Sequence, residues 1–68
     1  MTTTKTIGAK IKAWRAIKDL TQDELAKKAD LPYPTLVKIE SGAVQNPSID
    51  TVAKIAAGLG ISIDDLIK

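Results

Sequence analysis

Apolar residues recur along this chain at the spacing of helical faces, and punctuating residues divide them into five segments. In the first, Ile7, Ile11 and Trp14 fall at i, i+4 and i+7, which puts them on one side of an α-helix. Thr6 is placed to cap this helix, which runs to about Lys18. Lys10, Lys12 and Lys18 lie mostly off the stripe, and Ile17 sits beside it, half exposed. Trp14 can be read as a ligand-stacking aromatic, but its place on the stripe favours core packing. Asp19 stops the helix, because Asp tolerates the left-handed backbone better than most residues.

The second and third segments lie within Thr21 to Gly42, TQDELAKKADLPYPTLVKIESG. Thr21 is an N-cap with Glu24 three residues on as its capping-box partner, and Leu20 and Leu25 stand at the positions of a hydrophobic staple. Leu25, Ala29, Leu31, Leu36 and Ile39 face inward, whereas Lys27 and Lys28 face out. Gly42 supplies a stop. Ala29-Asp30-Leu31 is too short for anything but an abrupt corner, so the two helices cross steeply. That is the geometry of a helix-turn-helix.

Ala43 to Pro47 reads as a loop with Asn-Pro as its turn signal. Ser48 caps a fourth helix, with Asp50 against the positive end of its dipole. Ile49, Val52, Ala53, Ile55, Ala56 and Leu59 give that helix a broad apolar surface, and Gly60 ends it. Gly58 in its last turn costs about 1 kcal/mol relative to Ala, which a close helix contact would explain. In the last segment Ser62 and Asp65 form a capping box, with Ile61 and Leu66 as the staple. Ile63, Leu66 and Ile67 either close the core or face another chain. The expectation is an all-α, five-helix single domain over residues 1–68, with a loose arm at residues 1–5 and no strands.

Composition narrows the chemistry. The 68 residues include neither Cys nor His, which removes disulfides, thiolate metal sites and the commonest general base. The carboxylates are scattered at capping positions. Asp64-Asp65 can be imagined as a metal pair, but helix-start charge is the plainer reading. No catalysis, metal, cofactor or small-molecule ligand is expected. The start, MTTTKT, lacks the apolar run of a signal peptide, and no stretch approaches the roughly 20 apolar residues of a membrane span. An intracellular, cytoplasmic protein is therefore expected. Net charge is only +2, but residues 1–38 hold eight basic side chains against four acids, and residues 39–68 hold two against four. Such a division suits a first half that faces an anion; a solvated mixed surface is the other reading.

The combination of Ile11, Trp14, Arg15, Leu20, Thr21-Gln22, Glu24-Leu25-Ala26, Leu31, Thr35-Leu36, Ile39-Glu40-Ser41-Gly42, Asn46-Pro47-Ser48, Leu59-Gly60 and Leu66 resembles the lambda-repressor-like, Cro-type (XRE-like) helix-turn-helix domains of bacteria and phages. The resemblance implies a compact five-helix DNA-binding domain with a central helix-turn-helix, bound as a homodimer to a palindromic operator in double-stranded DNA. It implies that Gln22 and the helix N-terminus behind it hold a phosphate, where free N–H groups and the dipole favour an anion. It pairs Arg15 with Glu40 as a structural ion pair, and puts Arg15 close to phosphate as well. Tyr33, Pro34, Val37 and Lys38 become the base-reading set, with Thr35 and Ser41 nearer the backbone and Lys12 on the first helix. Lys38 can donate to guanine or to a phosphate, and Val37 and the Pro34 ring can touch thymine methyls. Tyr33 can hydrogen-bond a phosphate or base edge, or be a partly buried surface aromatic.

Two features depart from the family pattern. Pro32-Tyr33-Pro34 replaces the more usual serine, arginine or glutamine. Because Pro34 disfavours helical dihedrals at Tyr33, the third helix is expected to begin a residue late, near Pro34. Asp30 stands where the turn usually has glycine. The implied function is a sequence-specific transcriptional regulator, a repressor, with dimerisation through the C-terminal helices. The alternative is a protein-interaction module that kept the fold and lost DNA binding.

Overall fold

The computed structural model describes residues 6–67. They form five helices: α1 (Ile7–Lys18), α2 (Gln22–Ala29), α3 (Tyr33–Ser41), α4 (Ile49–Leu59) and α5 (Ile63–Ile67). No strand occurs among the described residues. The arm expected at residues 1–5 lies outside them.

Each long helix begins where its cap predicts. Thr6 Oγ1 accepts from the Ala9 N–H at 3.1 Å, and Ser48 Oγ accepts from the Thr51 N–H at 3.2 Å. At α2 the box is complete: Thr21 Oγ1 accepts from the Glu24 N–H at 3.1 Å, and the Thr21 N–H donates to Glu24 Oε1 at 2.9 Å. At α5 only half of the expected box forms, with the Asp65 N–H donating to Ser62 Oγ at 3.0 Å.

Three of the four connections are built to one three-residue plan. Asp19-Leu20-Thr21, Asp30-Leu31-Pro32 and Gly60-Ile61-Ser62 each run left-handed residue, apolar residue, next cap. Asp19 and Asp30 both hold φ 58°, and Gly60 holds φ 75°. The left-handed turn closes a reversed pair of backbone bonds over each helix end. The Leu20, Leu31 and Ile61 N–H groups donate back to Arg15, Ala26 and Ala56 carbonyls at 2.9, 2.9 and 3.0 Å. The same apolar residues then pack against the core.

The third helix corrects one expectation. It begins at Tyr33, not Pro34, with Pro32 as its N-cap at φ −60° and ψ 137°. The Pro32 carbonyl accepts from the Thr35 and Leu36 N–H groups at 3.0 and 3.3 Å. Those bonds draw Tyr33 into the first turn despite Pro34, whose missing N–H would have no partner there anyway.

The core comprises Ile11, Leu25, Ala26, Leu36, Ile39, Val52, Ile55, Ala56, Leu59 and Leu66. Trp14 packs on its margin. Leu66 closes the bottom while its neighbour Ile67 stays exposed. Ile49, grouped above with the apolar surface of α4, is instead 70% exposed in the first turn, and Ile17 is 69% exposed, more than the half expected.

Two glycines let helices meet backbone to backbone at the helix-turn-helix. Gly58 of α4 sits against the end of α2, where an added Cβ would lie 3.0–3.1 Å from Ala29. Gly8 of α1 sits against the end of α3. A Cβ there would come within 2.8 Å of the Glu40 carbonyl oxygen and closer still to that of Ile39. Gly8 carries no local sequence signal for this contact. Backbone cannot rotate away as a side chain can. Gly8→Ala is therefore expected to lower unfolding free energy by about 1–3 kcal/mol in urea titration, despite alanine's helix-propensity advantage of about 1 kcal/mol.

Candidate nucleic-acid interface

Glu40 is the one buried charged residue among those described, its side chain fully inaccessible near the end of α3. A buried carboxylate requires partners, because desolvation otherwise drives it to neutralise or unfolds its surroundings. Arg15 of α1 answers it with a fork: Nε donates to Oε2 and Nη2 to Oε1, both at 2.9 Å. Its Nη1 donates to the Leu20 carbonyl at 2.9 Å, fixing the chain just ahead of α2. The guanidinium is thereby turned inward on three sides, with 19% of the side chain exposed.

Gln22 completes the cluster. As the first residue of α2 it directs Nε2 to Glu40 Oε1 at 3.0 Å. Its own Oε1 accepts from the Tyr33 hydroxyl at 3.4 Å. Gln22, Tyr33, Arg15 and Glu40 therefore form one hydrogen-bonded chain linking α1 with the starts of α2 and α3 and the end of α3. An NH₂ group has two donors; Glu40 takes one, and the other remains beside the α2 N-terminus.

On α3, Leu36, Ile39 and Glu40 are buried. Pro34, Val37, Lys38 and Ser41 follow at i, i+3, i+4 and i+7, the spacing of one face, and that face lies opposite the buried one. Pro34, Lys38 and Ser41 are exposed and Val37 is half-buried. Thr35 is half-buried to the side. Tyr33 is 47% exposed, with its hydroxyl directed at Gln22. Lys12 is exposed on α1 and makes no hydrogen bond to the cluster among the described residues. Asp23 and Lys27 pair on the surface of α2 at 3.3 Å. The family resemblance had grouped the α3 residues. It had not linked Tyr33 to Gln22 or Arg15 to the Leu20 carbonyl, contacts with no local signature.

Among the described residues no helix is long and apolar enough to cross a membrane, and no group of three or more His, Cys, Asp or Glu side chains is placed to hold a metal ion.

A short two-helix corner, a polar cluster at the N-terminus of its first helix and a free face on its second define the helix-turn-helix class. Residues 11–66 match the helix-turn-helix family model, and the chain belongs to this XRE-like helix-turn-helix family. It is 40% identical over 57 residues to an uncharacterised HTH-type transcriptional regulator of Methanocaldococcus jannaschii, covering 84% of this chain and 85% of that one. It is 40% identical over 62 residues to the immunity repressor protein of Bacillus phage phi105, covering 91% of this chain. The chain spans only 42% of that repressor's length. The solved structure of SinR, the master regulator for biofilm formation, in complex with DNA superposes with a TM-score of 0.85 at 37% identity. The match covers 91% of this chain and 98% of that one.

Two measurements probe the cluster. Glu40→Ala would strand the Arg15 guanidinium and release Gln22. A loss of about 3–5 kcal/mol is expected in chemical denaturation, as for other buried pairs deprived of one partner. At the α2 start, the Thr21 backbone N–H, followed by its hydroxyl, holds the Glu24 carboxyl below its usual range. A depressed carboxyl contributes stability that is present above its unfolded-state range and lost as pH falls through the folded value. Glu24→Gln is expected to flatten that part of the stability-versus-pH curve on the acid side and leave its neutral slope unchanged, read by urea midpoints across pH.

Proposed function

We propose that this chain is a sequence-specific, double-stranded-DNA-binding transcriptional regulator that acts as a repressor, by occupying operator DNA and without catalysis. The observation that carries this reading is the free α3 face, Pro34, Val37, Lys38 and Ser41, standing beside the Gln22 amide at the α2 N-terminus. The similarity to SinR solved with DNA supports the same arrangement. In this reading α3 lies in a major groove. The second Gln22 donor, with the α2 N–H groups, holds a backbone phosphate. Lys12 adds charge along the backbone. Arg15 and Glu40 act as the strut that fixes Gln22, and Arg15 reaches phosphate only through its exposed edge.

Residues 1–68 form one DNA-binding domain, and two copies pair through the C-terminal helices, where Ile67 offers an exposed apolar side chain. A two-fold dimer places two α3 helices about one helical turn of DNA apart, which calls for a palindromic operator. The site of action is the cytoplasm, with the chromosome.

Selection from a random duplex library, followed by fluorescence titration, tests the proposal. Affinity is expected to fall about 100-fold or more between ~50 and ~200 mM salt. Gln22→Ala should weaken specific and random duplexes by the same factor, whereas Lys38→Ala should either relax preference at one base pair or lower the salt slope by about one. Absence of binding to any duplex would overturn the reading and leave a helix-turn-helix that serves as a protein-interaction module.

A further inference from the structure

The α3 face is unusual in what it cannot do. Base pairs are read most sharply by side chains that make paired hydrogen bonds: Arg or Lys to guanine, Asn or Gln to adenine. Of these only Lys38 stands among Tyr33, Pro34, Thr35, Val37, Lys38 and Ser41. Two of the three hydroxyls near the face are engaged within the protein, and the third belongs to Thr35, half-buried to its side. Ser41 Oγ donates to the Lys38 carbonyl at 3.1 Å and accepts from the Ala43 N–H at 3.4 Å. Tyr33 donates sideways to Gln22. Lys38 alone among them carries a charged head, exposed and in no ion pair among the described residues. What remains is hydrocarbon: the exposed Pro34 ring and the half-buried Val37 isopropyl group.

The major groove has one apolar feature to match, the methyl group at C5 of thymine. Pro34 and Val37 are three residues apart on one helical face, so they are displaced by about 4.5 Å along the axis. Successive bases on a strand are spaced by about 3.4 Å. One side chain can therefore pack on each of two neighbouring pyrimidines. Resting on the DNA-binding reading above, we propose that C5-methyl groups of pyrimidines are the principal sequence determinant for this chain. Pro34 and Val37 receive them, and Lys38 supplies the single polar contact. Cytosine carries a hydrogen at the same carbon, so a cytosine methylated at C5 offers the same group. Binding is then responsive to cytosine methylation at those positions, in the strengthening direction.

The test uses the full chain and the best duplex from the library selection. Each thymine is replaced singly by deoxyuridine, which removes only the methyl group. Binding should weaken about fourfold at one or two positions in each half-site, the effect of one buried methyl-sized group, and stay unchanged elsewhere. Placing 5-methylcytosine instead of cytosine at those positions should strengthen binding about fourfold. Val37→Ala should erase the thymine–uracil difference at one position, while Lys38→Ala should preserve it. Thermal melts of both variants check that they fold. Tight, salt-dependent binding that ignores every uracil substitution would overturn the methyl reading while leaving DNA binding intact. Failure to bind any duplex would overturn both.

Discussion

A carboxylate buried among helices is the constraint from which the rest of this structure follows. Glu40 can be buried only if its lone pairs are met, and Arg15 and Gln22 meet them from two other helices. The fork from Arg15 ties α1 to the end of α3, and its third bond, to the Leu20 carbonyl, fixes where the chain turns into α2. The angle of the helix-turn-helix is therefore set by directional bonds as well as by packing. Apolar contacts tolerate small rotations, whereas a planar guanidinium on a carboxylate does not. Gly8 permits this arrangement, because any Cβ would hold α1 off the α3 backbone.

The connections show how a short chain keeps such an angle. Asp19-Leu20-Thr21, Asp30-Leu31-Pro32 and Gly60-Ile61-Ser62 each end one helix, anchor an apolar side chain and open the next. Two of them place an aspartate where glycine is easier, which costs backbone strain and sets a negative charge at a helix C-terminus. At Asp30 that charge also lies in the turn ahead of α3, so residues nearby must supply whatever attraction to an anion the motif has.

In the proposed reading, function divides between the start of α2 and the outer face of α3. The α2 N-terminus carries Gln22, oriented by Glu40 on one side and Tyr33 on the other. In that reading the cluster positions the domain on a phosphate backbone, a contact without sequence information. In the same reading the outer face of α3 discriminates by shape and hydrocarbon contact. Tyr33 belongs to both helices, since it opens α3 and hydrogen-bonds to α2.

For α1, α2, α4 and α5 the sequence by itself determined the helices and their capping residues, and between α2 and α3 it determined the corner. These depend on bonds between residues three to five apart: Thr21 with Glu24, Ser48 with Thr51, Leu31 with Ala26. The resemblance supplied the α3 set, and in the folded helix Pro34, Val37, Lys38 and Ser41 share one face. The resemblance supplied the pairing of Arg15 with Glu40. Only the tertiary structure decided that Arg15 turns inward to the Leu20 carbonyl, that Gln22 is held between Glu40 and Tyr33, and that Gly8 abuts the α3 backbone. Tyr33 joins α3 because the two bonds to the Pro32 carbonyl outweigh the local sterics at Pro34. Gln22 and Glu40 lie 18 residues apart and Arg15 and Glu40 lie 25 apart. At such separations no periodicity records a contact, and the closing of the core brings the partners together.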